Sequence, residues 1–538
     1  MMSTFRRISA LVAALALPLA VAAAPAGAST KQISIIEPGS QLESNPVATL
    51  QTLRLLGAQE IRLVLHWNQI APDANSRSEP HGFSGSNPAA YPAASWAPWD
   101  AIIEDAKAAD IGVDLDLDGR APLWAMPRSA PVDAQGSQNP SASDYEAFVQ
   151  AVGKRYSGTY TPSGASTPLP KVTFWSVWNE PNYQSSLEPQ GSGHNNVNPV
   201  SPGVYRGLVA AAWKALGATG HGHNTILIGE LAPRGYPNDF KGYMFPVLFV
   251  RSLYCVGSNY RPLSGSTARS QSCPVTASAS RRFRSQNPGL FSATGFAAHL
   301  YSNYSAPNKE AYYTCKSGLC ASLGDIGNLF GALDRSQRAY GSSRKLPVYD
   351  TEYGYQTAPP RKPGYGIVSQ ATAAAYLNWA EYISYKNPRI LSYDQYLLDD
   401  PEQPTAANDN GNANNYASGL ESWNGHPKPA YYAFRLPLYL PHTRGHNLEV
   451  WGCARPAPFA SLDTGGDPQT VKIQFEPSGS NTFTTLKTVT VAPATGYFDT
   501  HVSFPGNGTV RLTYTYPAGD TMLPAGYTIY SQHVSITG

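Results

Sequence analysis

Two glutamates stand in similar settings. Glu180 follows the run Val172-Thr-Phe-Trp-Ser-Val-Trp178-Asn179 and precedes Pro181, while Glu352 follows Leu346-Pro-Val-Tyr-Asp-Thr351 and precedes Tyr353-Gly354. Runs rich in β-branched and aromatic residues read as strands. Pro181 cannot continue a ladder and Gly354 opens a turn, so each carboxyl group is expected at the carboxyl end of its strand. Cleaving a glycosidic bond with retention needs two carboxyl groups about 5 Å apart, one attacking the anomeric carbon and one protonating the leaving oxygen and later activating water. Such a pair must come from different strands. Glu230, in Ile-Gly-Glu-Leu-Ala-Pro, and Glu37 are the rival strand-end acids. Neither has a comparable flanking pattern, and Glu230 is read as a supporting or substrate-binding group.

The elements that must position this pair repeat along most of the chain. Strands are expected at Ile33–Ile36, Glu60–His66, Ile111–Leu117, Val172–Trp178, Thr225–Glu230, Gly295–Leu300, Lys345–Thr351 and Ile390–Leu397. Between them, apolar residues recur at helical spacing in Trp99–Asp110, Asp144–Tyr156, Pro202–Leu216, Leu323–Tyr340 and Gln370–Tyr385. Eight strand–helix units predict an α/β fold, a closed (β/α)8 TIM barrel, with the two glutamates on strands four and seven. The long loops Ala71–Pro98, Glu188–Ser201, Cys255–Pro288 and Asp399–Gly425 are expected at the carboxyl face, where barrel active sites sit. After His442 the pattern alternates apolar and polar residues in Val471–Phe475, Thr485–Val491, Gly496–Phe504 and Gly508–Tyr516, which predicts a C-terminal antiparallel β-sandwich. The expected organisation is a signal peptide at 1–28, a catalytic barrel at 29–444 and an accessory domain at 445–538.

The strand-end motifs resemble those of the clan A glycoside hydrolases, and in detail glycoside hydrolase family 39 and its neighbours. The resemblance covers about three quarters of the chain. It implies Glu180 as acid/base, Glu352 as nucleophile and Asn179 as the group holding the sugar 2-hydroxyl. Arg62, in Glu-Ile-Arg-Leu-Val-Leu, matches the clan's arginine beside the nucleophile, and His299 and Tyr301, in Phe-Ala-Ala-His-Leu-Tyr, match its His-x-Tyr pair. Trp67 follows Arg62 as the clan pattern has it, and Trp124 stands with other rim aromatics as a candidate ring for stacking on sugar. Arg62 and the Tyr301 hydroxyl are expected to stabilise ionised Glu352 and keep its pKa low enough to attack, whereas Glu180, with no cation assigned to it, is expected to keep its proton. The chain departs from the clan after strand eight, where Ser-Tyr393-Asp394-Gln395-Tyr396 replaces the usual tryptophan. Arabinose- or xylose-type units are the expected sugars.

Arg6 and Arg7 precede an apolar run that closes on Ala26-Gly27-Ala28, the pattern of a cleaved secretory signal. A secreted protein with no membrane span in the mature chain follows. The net charge of +2, with no basic run, gives no footprint for nucleic acid. Of five cysteines, Cys255–Cys273 and Cys315–Cys320 are the expected pairs, leaving Cys453 over. No metal or cofactor is expected, since isolated histidines usually serve as hydrogen-bonding groups. Asp114-Leu-Asp-Leu-Asp118-Gly119 fails as a calcium loop because its last ligand position is Ala125. Asp118 is instead expected to bind sugar or to pair with Arg120. The competing readings are a non-catalytic carbohydrate-binding or wall-associated barrel and, within the enzyme class, an endo-acting glycanase or transglycosylase.

Overall fold

The computed structural model describes residues 28–29, 31–131, 136–236, 240, 242–311, 315, 317–362, 364, 366–402, 416–517 and 526–538. Residues 1–27 of the expected signal peptide and residues 403–415 of the loop Asp399–Gly425 lie outside the described residues.

Eight parallel strands form one sheet: β1 (Ile33–Glu37), β2 (Glu60–His66), β3 (Gly112–Asp118), β4 (Phe174–Val177), β5 (Thr225–Leu231), β6 (Gly295–His299), β7 (Val348–Glu352) and β8 (Ser392–Tyr396). Neighbours in sequence are neighbours in space, and β8 returns to pair with β1. The ring closes between β7 and β8 through a parallel bridge at Val348 and Ile390, where Val348 N–H donates to Arg389 O at 2.8 Å and Leu391 N–H to Val348 O at 2.9 Å. This is the expected barrel. The helices between strands cover it, among them Ala142–Arg155, Ser201–Ala218 and Gln370–Tyr385. The first buries Tyr145, Phe148, Val149 and Val152, and Ser141 caps it by accepting from Asp144 N–H.

Side-chain alternation divides the barrel interior into layers. Ile35, Phe174, Leu227, Ala297 and Tyr349, each from a different strand, form an apolar cluster. Along β2 and β3, which give no residue to that cluster, the inward positions are ionic. Arg62 pairs in register with Asp114, and His66 with Asp118. The period of two along a strand therefore sets an apolar floor under a charged mouth.

Of the long loops, Ala71–Pro98, Glu188–Ser201 and the described parts of Asp399–Gly425 follow strands and open at the carboxyl face. Cys255–Pro288 does not. It follows the helix Pro246–Leu253, so it runs at the opposite end, where Tyr340 O–H donates to Cys255 O and Arg284 to Gly341 O. It also contains the helices Gly265–Ser270 and Ala277–Gln286, and it cannot close a cleft over the two glutamates.

The C-terminal region holds two antiparallel sheets. One comprises β9 (Leu438–Tyr439), β10 (Asn447–Cys453) and β13 (Tyr497–Ser503); the other comprises β11 (Thr470–Pro477), β12 (Thr484–Thr490), β14 (Gly508–Thr515), β15 (Thr528–Tyr530) and β16 (Val534–Ile536). Leu448, Val450, Phe498 and Val502 from the first join Val471, Ile473, Phe475, Val510 and Leu512 from the second in one apolar cluster. β9 lies ahead of residue 445 yet pairs with β10. The disulfides are Cys255–Cys273 and Cys315–Cys320, and Cys453 is free and buried.

Candidate active site

Glu180 and Glu352 converge at the carboxyl mouth of the barrel. One oxygen of each lies within 4.8 Å of the other and of a ring nitrogen of His299. The chain reaches Glu180 through unusual backbone: Trp178 has φ 64° and Glu180 φ 41°, in the left-handed region that side chains disfavour. Such strain persists only where surroundings over-determine it. Here the Trp178 indole is fully buried with its N–H donating to Ser186 O, and Glu180 N–H donates to Glu230 O at 3.0 Å.

Glu352 is the more enclosed of the pair, with 11% of its side chain exposed against 20% for Glu180. Arg62 Nη1 lies 3.0 Å from Glu352 Oε1, and the Tyr301 hydroxyl donates to Oε2 at 2.9 Å. His299 Nδ1 lies 2.9 Å from Glu180 Oε1 and 3.3 Å from Glu352 Oε2, so one imidazole nitrogen touches both acids. Arg62 is shared further, with Glu37 Oε2 at 2.7 Å, Asp116 Oδ2 at 2.8 Å, Asn179 Oδ1 at 3.0 Å and Glu230 Oε2 at 3.5 Å.

The charges follow from burial opposed by these partners. Burial raises the Glu352 pKa and His299 and Arg62 lower it, leaving the carboxyl at about 7. Arg62 lowers the value as expected, but one guanidinium spread over several acids does not offset the loss of water. Burial would lower the His299 pKa, but Glu352, Glu180 and Glu230 raise it well above the ordinary histidine value, so it is an imidazolium at neutral pH. Glu180, which was assigned no cation from sequence, therefore has one at its side. Burial would raise Glu230, but Arg62, His299 and Thr351 hold it below the usual glutamate value. Asp114 and Asp116 are pushed well above the usual range, first by burial, and keep protons that the site's two cations could not balance.

Other expected residues divide by accessibility. Asn179 is half-buried at the mouth beside Glu180. Arg62 and His299 are buried and reach the carboxylates rather than open space. Trp67 is fully buried, stacked on Phe148 at 5.3 Å and edge-on to Trp124, so it belongs to the core and offers no face to a sugar. Alternation carried that signal, since Trp67 is one residue past inward-facing His66. Trp124 is half-buried, and its indole N–H donates to Pro72 O at 3.1 Å. Asp118 pairs with His66 Nδ1 at 2.6 Å in place of the expected Arg120.

Glu230 is more central than its sequence suggested. Its register break with β6, between Ile228 and Leu231, and its φ of 47° turn the side chain inward, where Oε2 meets His299 Nε2 at 3.1 Å and accepts from Thr351 Oγ1 at 2.7 Å. The preceding Gly229, at φ 118°, was the available cue: a Cβ there would lie 2.5 Å from Ala297 O. Glu180, His299 and Glu352 have donor atoms spaced to hold a divalent cation. Both His299 nitrogens face carboxylates, Nδ1 toward Glu180 and Nε2 toward Glu230.

No family model matches the chain, and no curated protein does. Solved structures that it resembles include a family 39 glycoside hydrolase from Bacteroides cellulosilyticus, at 13% identity and TM-score 0.45 over 89% of this chain and 80% of that one. A glucosidase from Croceicoccus marinus gives 10% identity and TM-score 0.45 over 89% and 94%. An endo-beta-1,4-mannanase from Thermotoga petrophila gives 11% identity and TM-score 0.39 over 94% and 98%.

Proposed function

We propose that the protein is a retaining O-glycoside hydrolase acting on a carbohydrate by double displacement, with Glu352 as nucleophile and Glu180 as acid/base. The observation that carries the reading is the convergence of two strand-end carboxylates on one His299 nitrogen at the mouth of a closed barrel, with an oxygen of one within 4.8 Å of an oxygen of the other. Retaining enzymes hold their pair about 5–5.5 Å apart, and inverting ones leave about 6.5–9.5 Å for water.

The roles follow from the partners. Glu352 receives Arg62, Tyr301 and His299, which stabilise its charge and fix its angle of attack. Glu180 is more open and stands where a leaving oxygen can take its proton. Asn179, held by Arg62 through Oδ1, leaves its amide nitrogen for a sugar hydroxyl. We read the chain as exported, its two C-terminal sheets as a β-sandwich accessory to the barrel, and arabinose- or xylose-type units as its sugars.

A panel of aryl arabinofuranosides, xylosides, glucosides and galactosides tests this with wild type, Glu180→Ala and Glu352→Ala, each with added azide. Rescue of both variants, giving a glycosyl azide of retained configuration with Glu180→Ala and inverted with Glu352→Ala, is the expected result. Variants that hydrolyse like wild type would remove both residues from the chemistry.

A further inference from the structure

His299 does more in this geometry than orient a nucleophile. Its Nδ1 is within hydrogen-bonding reach of both Glu180 and Glu352, while Nε2 faces Glu230, whose carboxylate is fully buried. Glu230 Oε1 has no hydrogen-bond partner, and Oε2 is fixed by Thr351 with Arg62 at 3.5 Å. A carboxylate this dry, aimed at an imidazole, keeps a proton on Nε2. Only Nδ1 is then free to exchange.

We propose that His299 relays the proton shared by Glu352 and Glu180, and that Glu230 is the positioning residue that keeps it able to do so. This rests on the glycosidase reading. In the resting site, burial favours a proton on Glu352 and His299 is charged. The Nδ1 proton passes to the Glu180 carboxylate, making the acid. The neutral imidazole, still protonated at Nε2 against Glu230, then takes the proton of Glu352, making the nucleophile. One proton has moved from Glu352 to Glu180, His299 is again an imidazolium, and no electrons change hands. The groups around the ring are Glu180 beyond β4, Glu230 on β5, Tyr301 beyond β6 and Glu352 on β7; Arg62 on β2 adds its charge, while burial pushes the Asp350 carboxyl on β7 well above the usual range.

Two measurements test the relay. In protein labelled with 15N-histidine, the signal lost in His299→Asn should show two protonated ring nitrogens at and above neutral pH in wild type. In Glu230→Gln it should lose a proton at lower pH; identical titration in both proteins overturns the role of Glu230. The second compares alkyl glycosides, which need an acid, with dinitrophenyl glycosides, which do not. Assayed above the Glu352 value of about 7, where the nucleophile is ionised without the relay, Glu230→Gln should slow the alkyl substrates by about 10²-fold more than the activated ones, the lower end of what general acid catalysis contributes. An equal fall on both classes marks a structural effect and overturns the relay. Should Glu230→Gln not fold, His299→Asn is read by the same comparison. A wild type that cleaves no glycoside removes the functional reading, while the 15N titration still decides whether Glu230 holds the charge on His299.

Discussion

Glu352, the nucleophile of the proposed mechanism, is tuned from the opposite direction to the usual intuition. Its arginine is present, but Arg62 also faces Glu37, Asp116 and Glu230, and Glu352 settles at about 7. Only the ionised form attacks. The account therefore expects kcat/KM to rise with pH through about 7 on the acid limb of the profile. Tyr301 is the partner to remove, because its hydroxyl donates to Glu352. A hydrogen bond to a charged group contributes about 1.5–3 kcal/mol, so Tyr301→Phe should lower kcat/KM by about 10- to 100-fold. Losing a donor to the carboxylate also raises its pKa, and the acid limb should move to higher pH. An unmoved limb would mean that the hydroxyl does not bear on Glu352. Glu180 and Glu352 were legible as strand-end residues, and Arg62 and Tyr301 through the resemblance of their motifs to clan A. The contact of one histidine with three acids was not, because it joins side chains from four strands that meet only when the ring closes.

At the scale of elements, strand alternation explains both what sequence placed and what it misplaced. The eight barrel strands are visible because each is a short apolar run ending in a turn residue, and their positions need only that periodicity. Alternation also puts Asp114, Asp116 and Asp118 on one face, where they meet Ser176, Arg62 and His66 in turn. Two carboxylates break the rule. Glu230 and Glu352 each sit where the register shifts, between Ile228 and Leu231 and beside Ala298 and His299. Bulges re-aim side chains at active sites and leave little trace in composition. Trp67 obeys the rule, and its place in the core makes a prediction. Trp67→Ala should cost about 3–5 kcal/mol of stability in a denaturant titration. The KM of the folded protein should stay near wild type. A large rise in KM at unchanged stability would instead place the ring in the sugar site.

For the molecule as a whole, the C-terminal sheets close the amino end of the barrel with a buried ion pair. Arg455 Nη2 lies 2.8 Å from Glu381 Oε1, its guanidinium stacks 3.7 Å from the Phe434 ring, and Nη1 donates to Ser34 on β1. Tyr497 O–H, from β13, donates to the same Glu381 at 2.8 Å. This pair was not legible in sequence, since Arg455 and Glu381 are 74 residues apart (455 − 381) and carry no motif. Removing one partner of a buried pair costs about 3–5 kcal/mol, so Arg455→Ala should lower the unfolding midpoint by a corresponding amount. The buried acids also set a pH dependence. Burial raises Glu60 to about 8 and Glu352 and Glu421 to about 7. Each binds more proton folded than unfolded, so its contribution is full below about 4.5 and is lost as pH rises through those values. His299, raised, acts in the same direction, whereas Glu230, lowered, acts only on the acid side of the ordinary glutamate value. Thermal unfolding should therefore occur at a higher temperature near pH 5 than near pH 8; the reverse order would show that these acids are not protonated in the fold.

The central claim is that Glu352 forms a covalent bond to the sugar. A 2-deoxy-2-fluoro glycoside of the best substrate, bearing a dinitrophenyl leaving group, slows breakdown of that intermediate enough to weigh it. The account predicts a mass increase of one fluoroglycosyl group on the intact protein, located by peptide mapping to the segment containing Thr351-Glu352-Tyr353. Label on the segment containing Asn179-Glu180-Pro181, or on that containing Gly229-Glu230, would contradict it, as would turnover with no adduct at all.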